Sequence, residues 1–256
     1  MLHFLAELSR VEAQEAAPQA LLIFPVGAVE QHGPHLPVGT DTLIVGQVAQ
    51  AAAQLAAESI PVVLAPVMPF GSSHHHLPFG GTMSLGTETY YRAIYELAES
   101  LVAGGFRRIF ILNSHGGNNE LIQLVVRDLA LRHPVWAAAA SYWVTAWDAL
   151  VALEAHHHGR LPGHAGAFET SLVSALRPEL VRSPLPHRDT FEGSSPRGFY
   201  GPVRREAHGS WQAIDGYSDS PDRASAELGR RYLAAIAQAV AGALVEFYQF
   251  AQEVER

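Results

Sequence analysis

The fold of this 256-residue chain is decided by residues 20–41, ALLIFPVGAVEQHGPHLPVGTD. Residues 20–29 are a short apolar run that predicts a strand, and a turn rich in Gly and Pro follows it. Residues 41–59 are rich in Ala, Leu and Val at helical spacing. The opening therefore predicts a strand, a loop with polar side chains, and a helix.

The same order repeats along the chain. Further strands are predicted at residues 61–67, 107–113 and 134–141. Further helices are predicted at residues 87–103, with Thr87 as N-cap, at 119–132, and from Ser220-Pro221-Asp222 to about residue 255. Parallel strands need crossover connections, which are usually helices, so this alternation predicts an α/β fold.

The predicted sheet is mainly parallel and is covered by helices on both faces. Residues 177–220 are rich in Pro, Gly and Arg without a clear period, and we expect irregular surface or subunit-contact structure there. The length and composition predict a single domain, residues 1–256.

The composition excludes several classes of function. The chain has no Cys, so a thiol nucleophile and a Cys-ligated metal are ruled out. It has no Lys, which excludes a Schiff-base lysine and a phosphate-loop lysine. The net charge of -8 argues against nucleic acid as a partner. The N-terminus does not resemble a signal peptide, and no apolar run approaches the roughly 18 residues of a membrane span. We expect a cytoplasmic protein.

The loop after the first strand holds candidate metal ligands. In an extended segment Glu30 and His32 point to the same side and Gln31 points away. Asp41 begins a helix, where free amides favour a carboxylate, and a carboxylate placed there can bridge two cations. The alternative is that Asp41 only caps its helix and His32 lies exposed in a loop. The ordered set favours metal binding.

Two later segments add candidates. His115 follows the third predicted strand, where it is either a metal ligand or a hydrogen-bonded turn residue, and Asn113 and Asn118 would orient ligands by hydrogen bonds. His164 lies in a loop before a predicted helix and Glu169 in the first turns of that helix. Glu169 could instead be a first-turn acid that complements the helix dipole.

Three of these segments resemble the creatininase family of amidohydrolases. They are residues 25–41, the run Asn113-Ser114-His115-Gly116-Gly117-Asn118, and residues 164–171. A fourth, residues 71–85 with Phe79-Gly80-Gly81-Thr82, is similar to the family's substrate-side loop. The resemblance covers about residues 20–180.

The resemblance implies a three-layer α/β/α fold and hydrolysis of a C–N amide bond, usually in a homohexamer. It implies two divalent ions per subunit, zinc foremost, with manganese or iron as alternatives. The implied ligands are Glu30, His32, Asp41 and His115, and Asp41 is the residue that would bridge the two ions.

One position departs from the family pattern. Creatininase has a glutamate two residues after the histidine that corresponds to His115, and here that position is Gly117. We therefore expect that the second ion either takes Glu169 as its further ligand or binds more weakly. Glu169 is also expected to take part in catalysis, and creatinine is not expected as the substrate.

Substrate contacts are expected from the substrate-side loop and from the segment after the fourth strand. The candidates are His76, Gly81, Thr82 and Trp143. Trp143 and Trp147 lie in a loop comparable to the one that supplies the pocket-closing tryptophans of creatininase, and packing is the preferred interpretation of both.

The expected reaction is attack by a metal-activated water on a small-molecule amide, whether cyclic amide, formamide or small peptide. His164 would pass a proton to the leaving nitrogen. A non-catalytic metal-binding or regulatory protein is the alternative. A nucleotide-binding domain is disfavoured, because no Gly-x-Gly-x-x-Gly follows the first strand.

Overall fold

A computed structural model of the chain describes residues 1–188 and 207–254. Five strands of these residues form one sheet in the order β1-β3-β2-β4-β5, and all neighbouring pairs are parallel. The strands are β1 (Leu2–Phe4), β2 (Leu21–Val26), β3 (Val62–Leu64), β4 (Arg108–Asn113) and β5 (Trp136–Ser141). The predicted α/β fold with a mainly parallel sheet is confirmed.

Helices follow the strands along the chain. They are α1 (Arg10–Ala16), α2 (Thr40–Ala56), α3 (Thr87–Ala103), α4 (Asn119–Arg132), α5 (Tyr142–Thr145), α6 (Trp147–Ala152), α7 (Ala155–His158), α8 (Ala167–Leu176), α9 (Ser210–Ala213) and α10 (Ala226–Val254).

The central strand β2 separates two hydrophobic cores. Its residues face opposite sides in turn, so that Leu21 and Ile23 belong to one core and Leu22 and Phe24 to the other. Helices α2, α8 and α10 cover the first core, and α3 and α4 cover the second. A strand buried on both faces is typical of a parallel sheet between two helix layers. The three-layer α/β/α sandwich is confirmed.

Some predicted boundaries were wrong. The short strand β1 was missed, because three residues are too few to display a period. The last helix begins at Ala226, since Pro221–Arg223 forms a separate 3-10 turn. Gly86, rather than Thr87, is the N-cap of α3. Much of the region expected to be irregular, residues 189–206, lies outside the described residues.

The expectation that no stretch could cross a membrane also needs correction. Helix α10 is long and apolar enough to do so by length and composition alone. One side of α10, which includes Tyr232, Ile236, Val240 and Leu244, is buried in the first core against α2 and α8. This is the packing of an amphipathic helix that lays one face on the core.

The sheet register places the site. Val26 at the end of β2 pairs with Asn113 at the end of β4, and Asn113 pairs with Ser141 of β5. The polar loops that leave β2, β3 and β4 therefore start from one edge of the sheet, where parallel α/β folds bind ligands.

Candidate active site

Six of the predicted site residues meet at the carboxyl edge of the sheet, and none is more than 7% exposed. They come from the loops after β2 and β4, from the first turns of α2 and α8, and from the loop before α8. They are Glu30, His32, Asp41, His115, His164 and Glu169.

Glu30, Asp41 and His115 form what we call the first subsite. Nδ1 of His115 lies 3.1 Å from Oε1 of Glu30 and 3.3 Å from Oδ2 of Asp41. Nε2 of His115 lies 3.1 Å from the carbonyl oxygen of Ser72, to which it can donate. That bond directs the Nδ1 lone pair toward the two carboxylates. Three acceptor atoms that face one another require a cation or a proton between them.

His32, Asp41 and Glu169 form the second subsite. Nε2 of His32 lies 3.6 Å from Oδ1 of Asp41 and 3.8 Å from Oε2 of Glu169. Nδ1 of His32 can donate to the carbonyl oxygen of Glu30 at 3.1 Å, which leaves Nε2 for the subsite. Asp41 therefore offers one carboxylate oxygen to each subsite.

The donor atoms fit divalent cations. Both carboxylate oxygens of Glu30, Nε2 of His32 and Oδ2 of Asp41 are buried without a hydrogen-bond partner among the described residues. Donor atoms of His32, Asp41 and Glu169 lie within 4.8 Å of one another, as a shared ion requires. Carboxylate oxygen and imidazole nitrogen are ligands of zinc, manganese and iron. Buried polar atoms without partners are costly, and an ion would satisfy them.

Electrostatics in the first subsite follow from the same contacts. Burial alone lowers the pKa of His115, but Glu30 and Asp41 outweigh it and hold this pKa well above its usual value. Burial alone raises the pKa of Glu30, but His115, with His76 and His164, holds it well below its usual value. The first subsite therefore attracts positive charge strongly.

The second subsite behaves similarly. Burial lowers the pKa of His32, but Asp41, Glu169 and Glu30 outweigh it and raise the pKa to about 9. Burial raises the pKa of Glu169 to about 8, with Asp41 adding to the rise and His32 opposing it. Without a cation this subsite holds protons at neutral pH.

His164 lies between the carboxylate of Glu30, in the first subsite, and the loop after β2. Its Nε2 lies 2.9 Å from the carbonyl oxygen of Gln31, and its Nδ1 lies 3.6 Å from Oε1 of Glu30. Burial, together with His32 and His76, lowers the pKa of His164 well below its usual value. His164 is therefore neutral at neutral pH, and one of its ring nitrogens carries no proton.

Gln31 also belongs to the site, through contacts that the sequence did not predict. Its Nε2 lies 2.9 Å from Nδ1 of His76 and 3.0 Å from Nε2 of His164. The opposite ring nitrogens, Nε2 of His76 and Nδ1 of His164, face Oε1 of Glu30, so Gln31 holds both rings from the side away from that carboxylate.

Trp211 is the aromatic residue that sequence reasoning missed. It lies in the short helix α9, and its ring centroid is 4.9 Å from that of His76, 5.0 Å from His164 and 6.0 Å from His75. No periodic pattern marks this segment, so the sequence carried no signal of the contact beyond the tryptophan itself.

Trp143, in contrast, lies away from these histidines in the first hydrophobic core. It is 2% exposed and packs edge to face on Tyr142, with ring centroids 5.1 Å apart. Its position supports packing rather than the expected substrate contact. The sequence could not tell which way the turn after β5 directs its side chains.

The substrate-side loop packs on the loop after β2. Oγ1 of Thr82 accepts from the backbone amide of Gln31 at 3.1 Å and donates to the carbonyl oxygen of His76 at 3.2 Å. Gly81 has φ +81°, a conformation that favours glycine, and a side chain there would collide with Val38. These contacts place His76 beside the cluster, and substrate binding by this loop stays a prediction.

Asn113 and Asn118 connect to His115 through hydrogen bonds. Nδ2 of Asn113 donates to the carbonyl oxygen of His115 at 2.7 Å, and Oδ1 of Asn113 accepts from the backbone amide of His115 at 3.1 Å. Nδ2 of Asn118 donates to Oδ1 of Asn113 at 3.1 Å. Such contacts can orient a ligand, the role expected of both residues.

Asp219 supports the loop that carries His164, and sequence reasoning missed it. Its buried carboxylate accepts from the backbone amide of Ala167 at 2.8 Å and from Oγ of Ser218 at 2.8 Å. Oγ of Ser218 in turn accepts from the backbone amide of His164 at 2.9 Å. A side chain at Gly166 would collide with Asp219, so this close approach requires glycine.

Comparison with known proteins agrees with this geometry. Residues 6–244 match the creatininase family, described as creatinine amidohydrolase. The mycofactocin precursor peptide peptidase of Mycobacterium ulcerans is 32% identical over 220 residues, which cover 83% of this chain and 80% of that protein. The creatinine amidohydrolase of Pseudomonas putida is 33% identical over 197 residues, which cover 70% and 73%.

Solved structures agree as well. A manganese creatininase superposes with a TM-score of 0.76 at 28% identity, over 95% of this chain and 97% of that one. A zinc–zinc form of a creatininase variant superposes with a TM-score of 0.75 at the same identity and coverage. The non-catalytic alternative finds no support in these similarities. The chain therefore belongs to the creatininase family, and it is a metal-dependent amide hydrolase.

Proposed function

We propose that this enzyme uses two divalent ions per chain to hydrolyse the C–N bond of a small amide or short peptide. The first subsite would hold one ion and the second subsite the other, with Asp41 bridging them. Zinc suits the mixed imidazole and carboxylate ligands best, and manganese or iron are alternatives.

One observation carries this proposal, namely the placement of Asp41 between two histidines. Its Oδ2 faces His115 at 3.3 Å and its Oδ1 faces His32 at 3.6 Å. An aspartate that only capped α2 would accept from amides of the first turn. The N-cap of α2 is Gly39, without a side-chain cap bond, so capping does not explain Asp41.

The chemistry that divalent ions supply in such a site is hydroxide formation near neutral pH and polarisation of the scissile carbonyl. The protein's own residues have further tasks. The hydrogen bond from His32 to the carbonyl oxygen of Glu30 holds the ring in its binding orientation. The closely packed site, with Trp211 over the histidines, limits access of bulk water.

His164 is the proposed proton carrier. Because its lowered pKa keeps it neutral, it must first take up a proton within the site before it can give one to the leaving nitrogen. Its Nδ1 faces Glu30 of the first subsite, and its Nε2 is held by the carbonyl oxygen of Gln31. Nδ1 is therefore the atom that would receive and deliver the proton.

The proposed substrate is a linear amide or short peptide rather than creatinine. Gly117 removes the carboxylate that the family resemblance places beside His115. The similarity to a peptide peptidase also extends over a larger share of this chain than the similarity to a creatinine amidohydrolase.

We also propose a cytoplasmic homo-oligomer, a hexamer by family resemblance. Apolar surface near the edge strand β5 supports an oligomer, since Val144 is 57% exposed and Phe250, which packs on Trp136, is 54% exposed. Light scattering of the purified protein would measure the assembly.

A substrate screen tests the proposed activity. Zinc- or manganese-loaded enzyme would be assayed against short peptides, formamides and cyclic amides that include creatinine, with the Glu30→Gln variant as control. We expect turnover of a linear amide that the variant lacks. A protein that holds two ions and hydrolyses creatinine, or none of these classes, would contradict the proposal.

A further inference from the structure

Gly117 leaves no room for a side chain. A Cβ at this position would collide with the carbonyl oxygen of Ser72, would lie 2.5 Å from Nε2 of His115, and would lie 3.1 Å from Cε1 of His75. The backbone of the substrate-side loop thus closes over Gly117. The carboxylate of the family pattern cannot be restored here without moving that loop.

His75 lies where the missing side chain would begin. It is the middle residue of a 3-10 turn, His74–His76, and it is half-buried. Its ring lies parallel to that of His115, with centroids 5.6 Å apart and planes 4° from each other. The turn directs its neighbours elsewhere, because His74 bonds Oγ of Ser84 at 3.0 Å and His76 bonds Gln31.

The donor atoms of His75 are within reach of the first subsite. One side-chain donor atom each from Glu30, His75 and His115 lie within 4.8 Å of one another. This is the spacing of side chains that share one ion, once small rotamer shifts bring them to bonding distance. Glu30 has both carboxylate oxygens without a hydrogen-bond partner among the described residues, so the geometry calls for a cation there.

Gly117 lies beside His115 of the first subsite, so the missing carboxylate is lost from the first ion and not, as expected from the sequence, from the second. We propose that His75 is a further ligand of the first ion and takes the place of that carboxylate. The inference rests on the proposed dinuclear site. A neutral imidazole in place of a carboxylate leaves one negative charge fewer around the ion, which makes the ion a stronger Lewis acid.

The test measures metal binding rather than activity. Zinc affinity of each subsite would be measured by chelator competition for the wild type, His75→Ala, His75→Asp and the control His74→Ala. Only one of the two ions should weaken in His75→Ala, by about a hundredfold. His75→Asp, which keeps a ligand atom, should recover part of the loss, and His74→Ala should bind as the wild type does.

A measurement on the wild type guards against a variant that misfolds. In cobalt-loaded protein with labelled histidines, each coordinated ring gives a hyperfine-shifted N–H signal, and we expect one from His75 beside those of His32 and His115. A wild type that binds two ions while His75 gives no shifted signal, or a folded His75→Ala variant with wild-type affinity, would overturn this inference alone. A wild type that binds no ion would overturn the proposed function as well.

Discussion

Nδ1 of His115 lies 3.1 Å from Oε1 of Glu30, although 85 positions separate the two residues in the chain. The contact arises because β2 and β4 pair in parallel and end level, at Val26 and Asn113. A carboxylate and a histidine placed shortly after the two strand ends are thereby brought together at one edge of the sheet. The sheet register, more than either loop, creates the first subsite.

Removal of His164 should separate chemistry from metal binding. His164→Ala should retain its ions and lose turnover by about 10²- to 10⁴-fold, since the proton carrier is gone while both proposed ligand sets remain. Turnover and metal content would be measured together, with the exposed His157→Ala as control. Unchanged turnover would remove His164 from the mechanism.

Metal binding should release protons. His32, with a pKa raised to about 9, and His115, with a pKa raised well above its usual value, are protonated in the metal-free site at neutral pH. An ion must displace those protons, so zinc affinity should fall as the pH falls below about 9, by up to tenfold per pH unit for each proton displaced. Calorimetry in buffers of different ionisation enthalpy would count the protons.

Zinc binding without proton release between pH 7 and 8 would contradict this account.

The stability of the metal-free protein should change with pH in the direction opposite to zinc affinity, and should fall as the pH rises. A raised histidine pKa contributes stability that is complete below the unfolded pKa of 6.5 and is lost as the pH rises toward 9. Melting temperatures of metal-free protein should therefore fall between pH 6.5 and about 9. Burial of His32, which by itself lowers its pKa, makes this fall smaller.

Much of this site could be predicted because its members follow strand ends or begin helices. Glu30, Asp41, His115 and Glu169 each stand in such a place, and parallel sheets bring those places to one edge. The local pattern selected them as candidates, and the family resemblance supplied their predicted roles.

Residues whose roles depend on tertiary contacts could not be predicted. Gln31 enters the site only through its bonds to His76 and His164, which come from distant parts of the chain, and Trp211 reaches it from a segment without any period. Trp143 was a candidate for substrate contact with packing as the preferred role, and it lies in the core. The short turn after β5 has no period from which the direction of this side chain could be predicted.

Trp211 should affect substrate binding more than the chemical step. Trp211→Ala should raise KM about tenfold and lower kcat by less, because the ring packs most closely on His76, a predicted substrate contact, and touches the proton carrier His164 and the proposed ligand His75 only through ring packing. Trp211→Phe should retain most of the affinity, and the exposed neighbour Gln212→Ala is the control. Equal KM values for Trp211→Ala and wild type would exclude this role.

Asp219 should matter for stability as well as for catalysis. Asp219→Ala removes the acceptor for the buried amide of Ala167 and for Oγ of Ser218, and should lower the free energy of unfolding by about 1–3 kcal/mol. Asp222→Ala, at an exposed pair with His187, should change it by less than about 0.5 kcal/mol. Denaturant unfolding of both variants would compare them, and similar losses would show that Asp219 has no special supporting role.

The most direct test of the dinuclear site is the metal content of untagged protein, measured by elemental analysis for the wild type, Asp41→Asn and Asp148→Asn. Asp148 is an exposed acid in the first turn of α6, so it matches Asp41 in helix position without lying in the site. We expect about two equivalents of zinc, manganese or iron per chain in the wild type and in Asp148→Asn, and loss of both in Asp41→Asn. Full metal content in a folded Asp41→Asn variant, or a wild type that takes up none of these ions when they are supplied, would contradict the account.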